Sequence, residues 1–150
     1  MVCCALMMSS RILAGNSLGK LFNNEKIDPG KLNFCGYTCP ADCKFYIASV
    51  ENDETGKKEA FKIWKIKERF GVDFDPDTSV CWKCKDMLKP EGVVIQNCTV
   101  RACAIEKGYE ACIECDKLTT CDKDLWKRFP DFFNAVIEMQ IKYKQQSASF

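Results

Sequence analysis

Four groups of cysteine carry whatever chemistry this chain performs. Cys35, Cys39 and Cys43 are spaced C-x3-C-x3-C, and Cys81 and Cys84 form the C-x2-C pair of "CWKC". Cys98 and Cys103 form the C-x4-C pair of "CTVRAC", and Cys112, Cys115 and Cys121 close the series in "CIECDKLTTC". Twelve of the 150 residues are cysteine and none is histidine. Without imidazole the chain lacks the usual proton shuttle at neutral pH, which removes Ser-His and Cys-His hydrolytic chemistry. A metal held by soft ligands must be held by thiolates, and thiolate-only sites suit zinc and iron–sulfur clusters alike.

The middle four cysteines give the most specific signal. Cys81 and Cys84, then thirteen residues, then Cys98 and Cys103, approach the layout of a four-thiolate zinc site. In such a site two short knuckles each supply two sulfurs at ~2.3 Å to a tetrahedral ion. "CWKC" is also how a redox dithiol is written, but that motif sits between a strand and a helix. Here "DFDPDTSV" upstream is no buried strand, and Pro90-Glu91-Gly92 arrives too soon for a long helix. Lys83 or Lys85 would lower a thiol pKa in a redox site, yet would equally offset the negative charge of a four-sulfur one. The spacing therefore favours metal. A second site takes Cys112, Cys115 and Cys121 with a fourth sulfur from Cys35, Cys39 or Cys43. Alternatively, the first group holds an iron–sulfur cluster with a borrowed ligand. The ferredoxin run of cysteines is absent, and 150 residues cannot build the barrel of a radical enzyme to go with "CGYTC". The expected cofactor is one or two zinc ions, with an iron–sulfur cluster as the alternative.

The elements that position these residues read as helices joined by irregular loops. Pro40 suits the first turn of a helix carrying Cys43, Phe45, Tyr46 and Ile47. "TGKKEAFKIWKIKERF" reads as one helix over roughly 56–70 closed by Gly71, with Phe61, Ile63, Trp64 and Phe70 as its core face and lysines opposite. "EGVVIQN" is the one strand candidate, lying between two cysteine pairs. "DKDLWKRF" leads to Pro130, and "DFFNAVIEMQIKYKQQ" presents Phe132, Phe133, Val136, Ile137 and Tyr143 at helical spacing, a core or self-association stripe. Tyr37, Tyr46 and Tyr109 are expected to pack by their rings. Arg101 balances thiolate charge, and Glu106, Glu110 and Glu114 form a solvated helix edge rather than an acid–base pair.

The net charge is +1, so nothing in the balance calls for nucleic acid or an anionic membrane. The six basic residues of "GKKEAFKIWKIKER" read as a solvated face. No stretch approaches the ~18 apolar residues of a membrane span. In "MVCCALMMSS" no basic residue precedes the apolar run, which is unlike a secretory signal. That points to the cytoplasm, with Cys3 and Cys4 incidental.

Taken in order, "CGYTCPADCKFYIAS", "CWKC" and "CTVRACAIEKGYEACIEC" resemble a prokaryotic cysteine-rich family known as domain of unknown function 3795. Its pattern falls on Cys35, Gly36, Cys39, Cys43 and Tyr46, then on Cys81 and Cys84. It continues on Cys98, Arg101, Cys103 and Ala104, on Lys107 and Gly108, and on Cys112, Cys115 and Cys121. The resemblance covers about 35–121; the Cys39–Cys43 spacing is one residue longer than the family form, which counts against Cys43 as a ligand. It implies a cysteine-rich domain that binds metal, with zinc as the metal, and implies no reaction.

The expected fold is mostly α, or irregular α+β: a small cysteine-rich domain of helices joined by metal-binding loops, with one short hairpin. Residues 1–33 are read as a lead-in, 34–145 as the metal-binding domain and 146–150 as a frayed tail. The expected function is a cytoplasmic, non-catalytic zinc module that works through a protein partner or self-association of its helical faces. Two alternatives stand beside it: an iron–sulfur electron carrier or accessory subunit of an anaerobic redox enzyme, and a thiol redox or metal-trafficking protein using "CWKC".

Overall fold

The computed structural model describes residues 26–148. Residues 1–25, with Cys3 and Cys4, and residues 149–150 lie outside it. Among the described residues six helices follow one another: α1 (Lys44–Val50), α2 (Glu54–Ile63), α3 (Ile66–Phe70), α4 (Thr99–Glu106), α5 (Asp124–Arg128) and α6 (Pro130–Ser147). Short 3-10 turns cover Pro29–Lys31, Cys112–Glu114 and Leu118–Thr120. The mostly α expectation holds; the hairpin does not, because there is no strand among the described residues. The "EGVVIQN" run is instead a turn in which the amides of Ile95 and Gln96 both donate to the Gly92 carbonyl, each at 3.0 Å. Its β-branched Val93 and Val94 serve as packing groups, since an extended run with no partner strand would leave its backbone unpaired.

Helix boundaries differ from the sequence reading in two places. Pro40 precedes α1, and the Cys43 amide closes a turn on the Pro40 carbonyl at 3.2 Å, so Cys43 is the residue that caps the helix. The expected helix over 56–70 breaks at Lys65, whose φ of 50° is left-handed. The geometry of the apolar residues explains the break. Phe61 and Ile66 lie about 140° apart around a continuous helix, yet both are buried in one cluster; the kink turns them to the same side. Ile63 is thereby left 39 % exposed and is not part of the core. Gly71 ends α3 with φ 69°, its amide reaching the Lys67 carbonyl at 2.8 Å, as the C′ reading requires.

Burial divides between two clusters. The first gathers Val100, Ala111, Ile113, Leu118, Trp126 and Val136, and the α6 stripe of Phe132, Phe133, Ile137 and Tyr143 packs on it. The second gathers Cys43, Phe45, Ala60, Phe61 and Ile66 from α1 to α3, with Trp64, Phe70 and Phe74 against it. Ile27 and Leu32 pack on the first cluster, and the Ile27 amide donates to Gln146 Oε1 at 2.8 Å, so the start and end of the described chain are tied together. Lys57 departs from the solvated-face reading: it is buried, its ammonium donating to Asn52 Oδ1 and the Pro76 carbonyl. Among the described residues no helix is long and apolar enough to cross a membrane.

Candidate functional site

Each cysteine loop is shaped locally before it is brought to the others. In the first, the Asn33 amide donates to the Tyr37 carbonyl and the Gly36 amide to the Asn33 carbonyl, both at 2.8 Å. Asn33 Nδ2 then donates to Cys39 Sγ at 3.1 Å. Gly36 stands at φ 86°, and a Cβ there would lie 3.3 Å from a Val136 methyl; only glycine meets both demands cheaply. The Cys112 amide donates to the Phe34 carbonyl at 2.7 Å, a main-chain bond that sets Cys35 beside Cys112.

The loop carrying "CWKC" is placed mainly by side chains. The Cys81 amide donates to Ser49 Oγ at 2.8 Å, and that hydroxyl donates to the Phe45 carbonyl at 2.7 Å, fastening Cys81 to α1. Arg101, buried on α4, donates from Nε to the Cys84 carbonyl at 3.0 Å, from Nη1 to the Glu91 carboxylate and from Nη2 to Met87 Sδ at 3.2 Å. Lys85 reaches the carbonyls of Pro29 and Gly30 at 3.1 Å and pairs with Glu110 at 2.9 Å. Lys83 lies 4.4 Å over the Tyr46 ring. Arg101 is therefore a structural clamp on the loop, and its guanidinium points at a carbonyl and a carboxylate.

The third region is knotted by main chain. The Cys115 amide donates to the Cys112 carbonyl at 3.0 Å. The Glu114 carboxylate accepts the amides of Glu110 and Ala111 at 2.6 and 3.1 Å. Gln140, buried on α6, donates to the carbonyls of Ile113 and Cys115 at 2.8 and 2.7 Å. Trp126 Nε1 donates to Cys121 Sγ at 3.2 Å. Glu106, Glu110 and Glu114 do not share a helix edge: α4 ends at Glu106, Glu110 pairs with Lys85 and Glu114 caps a turn.

All ten described cysteines are free thiols, and several of them lie near enough for their charges to act on one another. Burial pushes the Cys84 thiol far up, and the charges of Cys35, Cys98, Cys39 and Cys81 push it further. Burial likewise raises Cys35 to about 11, with Cys98 and Cys39 adding to it. Cys81 is raised to about 11 by burial and by Cys43 and Cys39, against a lowering by the Cys81–Lys83 hydrogen bond and the Lys83 charge. Cys112 is raised by burial, then by Cys35, Cys121 and Cys115.

Two neighbourhoods result. Cys35, Cys39, Cys84 and Cys98 share one, with Cys81 and Cys43 on its flank; Cys112, Cys115 and Cys121 share the other, and Cys35 reaches both. Cys103, on α4, does not figure among the charges acting most strongly on Cys35, Cys81, Cys84 or Cys112. Among the described residues no three cysteine, aspartate or glutamate side chains converge closely enough to share one ion. Sequence reasoning did not single out Asn33, Ser49, Trp126 or Gln140. Asn33 was within reach, as an amide two residues before the first cysteine; the partners of Gln140 lie too far along the chain to be inferred.

Only the family comparison returns a match. A family model described as "Protein of unknown function (DUF3795)" covers residues 31–125, from the 3-10 turn at Pro29–Lys31 into α5. No curated protein and no solved structure matches the chain.

Proposed function

The chain belongs to the DUF3795 family, and we propose that it is a cytoplasmic, non-catalytic zinc-binding module. One observation carries the reading: free thiols from segments far apart in the chain, Cys35 and Cys39, Cys84, and Cys98, are gathered into one neighbourhood. Sulfur is the soft donor that zinc takes in closed structural sites, so the donor set fits the ion. The sulfurs as placed do not converge, so zinc uptake in this reading requires the loops at 33–39 and 81–91 to draw them together. Cys35, Cys39, Cys84 and Cys98 would hold one ion, and Cys112, Cys115 and Cys121 would contribute to a second. Zinc bound there supplies positive charge to the thiolates and a cross-link between loops. The partner surface in this reading is the outer side of α1 and α2, where Ile47, Val50 and Ile63 are exposed.

A redox role for "CWKC" has less behind it. Attack by a thiolate is favoured when the pKa lies near ambient pH, and burial holds Cys81 at about 11.

Cobalt titration of the reduced, metal-free protein tests the reading. Intense sulfur-to-cobalt charge transfer with tetrahedral visible bands is expected, reduced in Cys84→Ser and Cys98→Ser and intact in Cys103→Ser. Absence of those bands in the wild type would overturn it.

A further inference from the structure

Where the two hydrophobic clusters meet, a cleft of about 310 Å³ opens between α3, the turn at 92–97 and α5. Its walls are apolar and come from both sides: Phe70 and Val94 pack on the second cluster, Leu125 and Cys98 on the first. Arg69, Arg128 and Asp124 are among the residues that line the same cleft. The two arginines are not equivalent. Arg128 is already committed: it pairs with Asp124 at 2.7 Å, donates to the Arg69 carbonyl at 3.0 Å and lies 4.9 Å over the Phe70 ring. The Arg69 guanidinium lies 5.7 Å over the Phe129 ring, and among the described residues no carboxylate is within ion-pair reach of it.

We propose that this cleft binds a small monocarboxylic acid with an aromatic or branched hydrocarbon body, its carboxylate on Arg69 and its body against Phe70, Val94 and Leu125. Three features select that class. The volume is at the low end for small-molecule sites, which admits a ligand of roughly a dozen heavy atoms and not a folded partner. Two arginines and one aspartate leave the rim one positive charge in excess, which a monoanion neutralises; a dianion would meet Asp124. The apolar walls reward a hydrocarbon body that inorganic phosphate or sulfate lacks, and the planar guanidinium fork matches a carboxylate. This site goes beyond the zinc reading and does not depend on it.

The test uses the full chain and two probes of equal body, 4-phenylbutyrate and 4-phenylbutan-1-ol, followed by amide NMR shifts. Saturable binding of the acid in the millimolar range is expected, with the shifts centred on Val93, Val94 and Leu125. The alcohol binds at least ten-fold more weakly. Arg69→Gln, at an exposed position, lowers the acid's affinity at least ten-fold while leaving the alcohol unchanged, and Arg69→Lys falls between. Equal affinity for acid and alcohol, shifts located elsewhere, no saturable binding, or unchanged acid binding in Arg69→Gln would each overturn the proposal. The comparison of acid with alcohol needs no variant, so it decides even where a substitution perturbs folding.

Discussion

Around Cys112, Cys115 and Cys121 the chain is held by main-chain hydrogen bonds, one carboxylate cap and one buried amide, whereas around Cys81 and Cys84 it is held by side-chain tethers. The first arrangement is redundant: the Cys112 amide on Phe34, the Glu114 cap, and Gln140 spanning two carbonyls. The second rests on Arg101 and Ser49, which reach in from α4 and α1, and on Lys85, which reaches out from the loop to Pro29. A region built by its own backbone keeps its thiols in place with or without an ion. A region built by side-chain tethers gains most from a cross-link, so zinc should stabilise the "CWKC" side more than the 112–121 side.

The sharpest way to break this contrast is at Gly92, where an added Cβ would lie 1.9 Å from the Val80 carbonyl oxygen. Both sides of that clash are backbone, so the loop cannot yield by a rotamer change. Gly92→Ala is expected to cost about 3 kcal/mol or more, read by urea unfolding; a loss under about 1 kcal/mol would show that the loop adapts freely. Next, Arg101→Met removes the donors to Cys84 and Glu91 and is expected to cost about 2–3 kcal/mol. Arg101→Lys should recover only part of this, because an ammonium cannot reproduce the fork. On the other side, Gln140→Leu leaves the Ile113 and Cys115 carbonyls short of a donor, for about 1–2 kcal/mol. Hydrogen exchange should then show local opening at 112–116 with the "CWKC" loop unaffected; opening of both together would dissolve the distinction between the regions.

Acidity sharpens the same comparison with a smaller effect. Cys35 and Cys81 have thiols raised from 9.0 to about 11 in the folded chain. A raised pKa means the neutral form is favoured on folding, so its contribution is complete below pH 9 and is lost as pH rises toward 11. The thermal midpoint of metal-free protein should therefore fall across pH 9–11. With zinc present the ligands are thiolates and binding releases protons, so the gap between the metal-loaded and metal-free midpoints should widen from pH 6 to pH 8. A gap that does not change with pH would argue against thiolate ligation.

Much of this was legible in the residues themselves. Apolar spacing placed α6 and its core stripe, Gly71 ended α3 where its C′ role required, and the ordered cysteine string pointed to the family. The misreadings share a cause, which is that local pattern competes with tertiary burial. "EGVVIQN" has strand composition, but Gly92 is pressed on the Val80 backbone and no partner strand is present among the described residues, so the run coils into a turn. Helical periodicity ran through Lys65, yet burying both Phe61 and Ile66 required a kink that no local rule supplies. The grouping of thiols was the least legible. Sequence spacing set Cys98 with Cys81, Cys84 and Cys103, while the charges acting on Cys84 also include those of Cys35 and Cys39, from a loop some fifty residues earlier. The Phe34–Cys112 bond brings the first loop to the third across almost eighty residues, and nothing in the intervening chain announces it.

The central claim is tested most directly by measuring zinc and iron per chain, by elemental analysis, on protein purified without oxygen or added metal. The account predicts one or two zinc per chain with no iron, and a lower zinc content in Cys84→Ser than in Cys103→Ser. Protein carrying neither metal, with all of its thiols open to alkylation under native conditions, would contradict it; so would three or four irons per chain, which would make the cysteines cluster ligands.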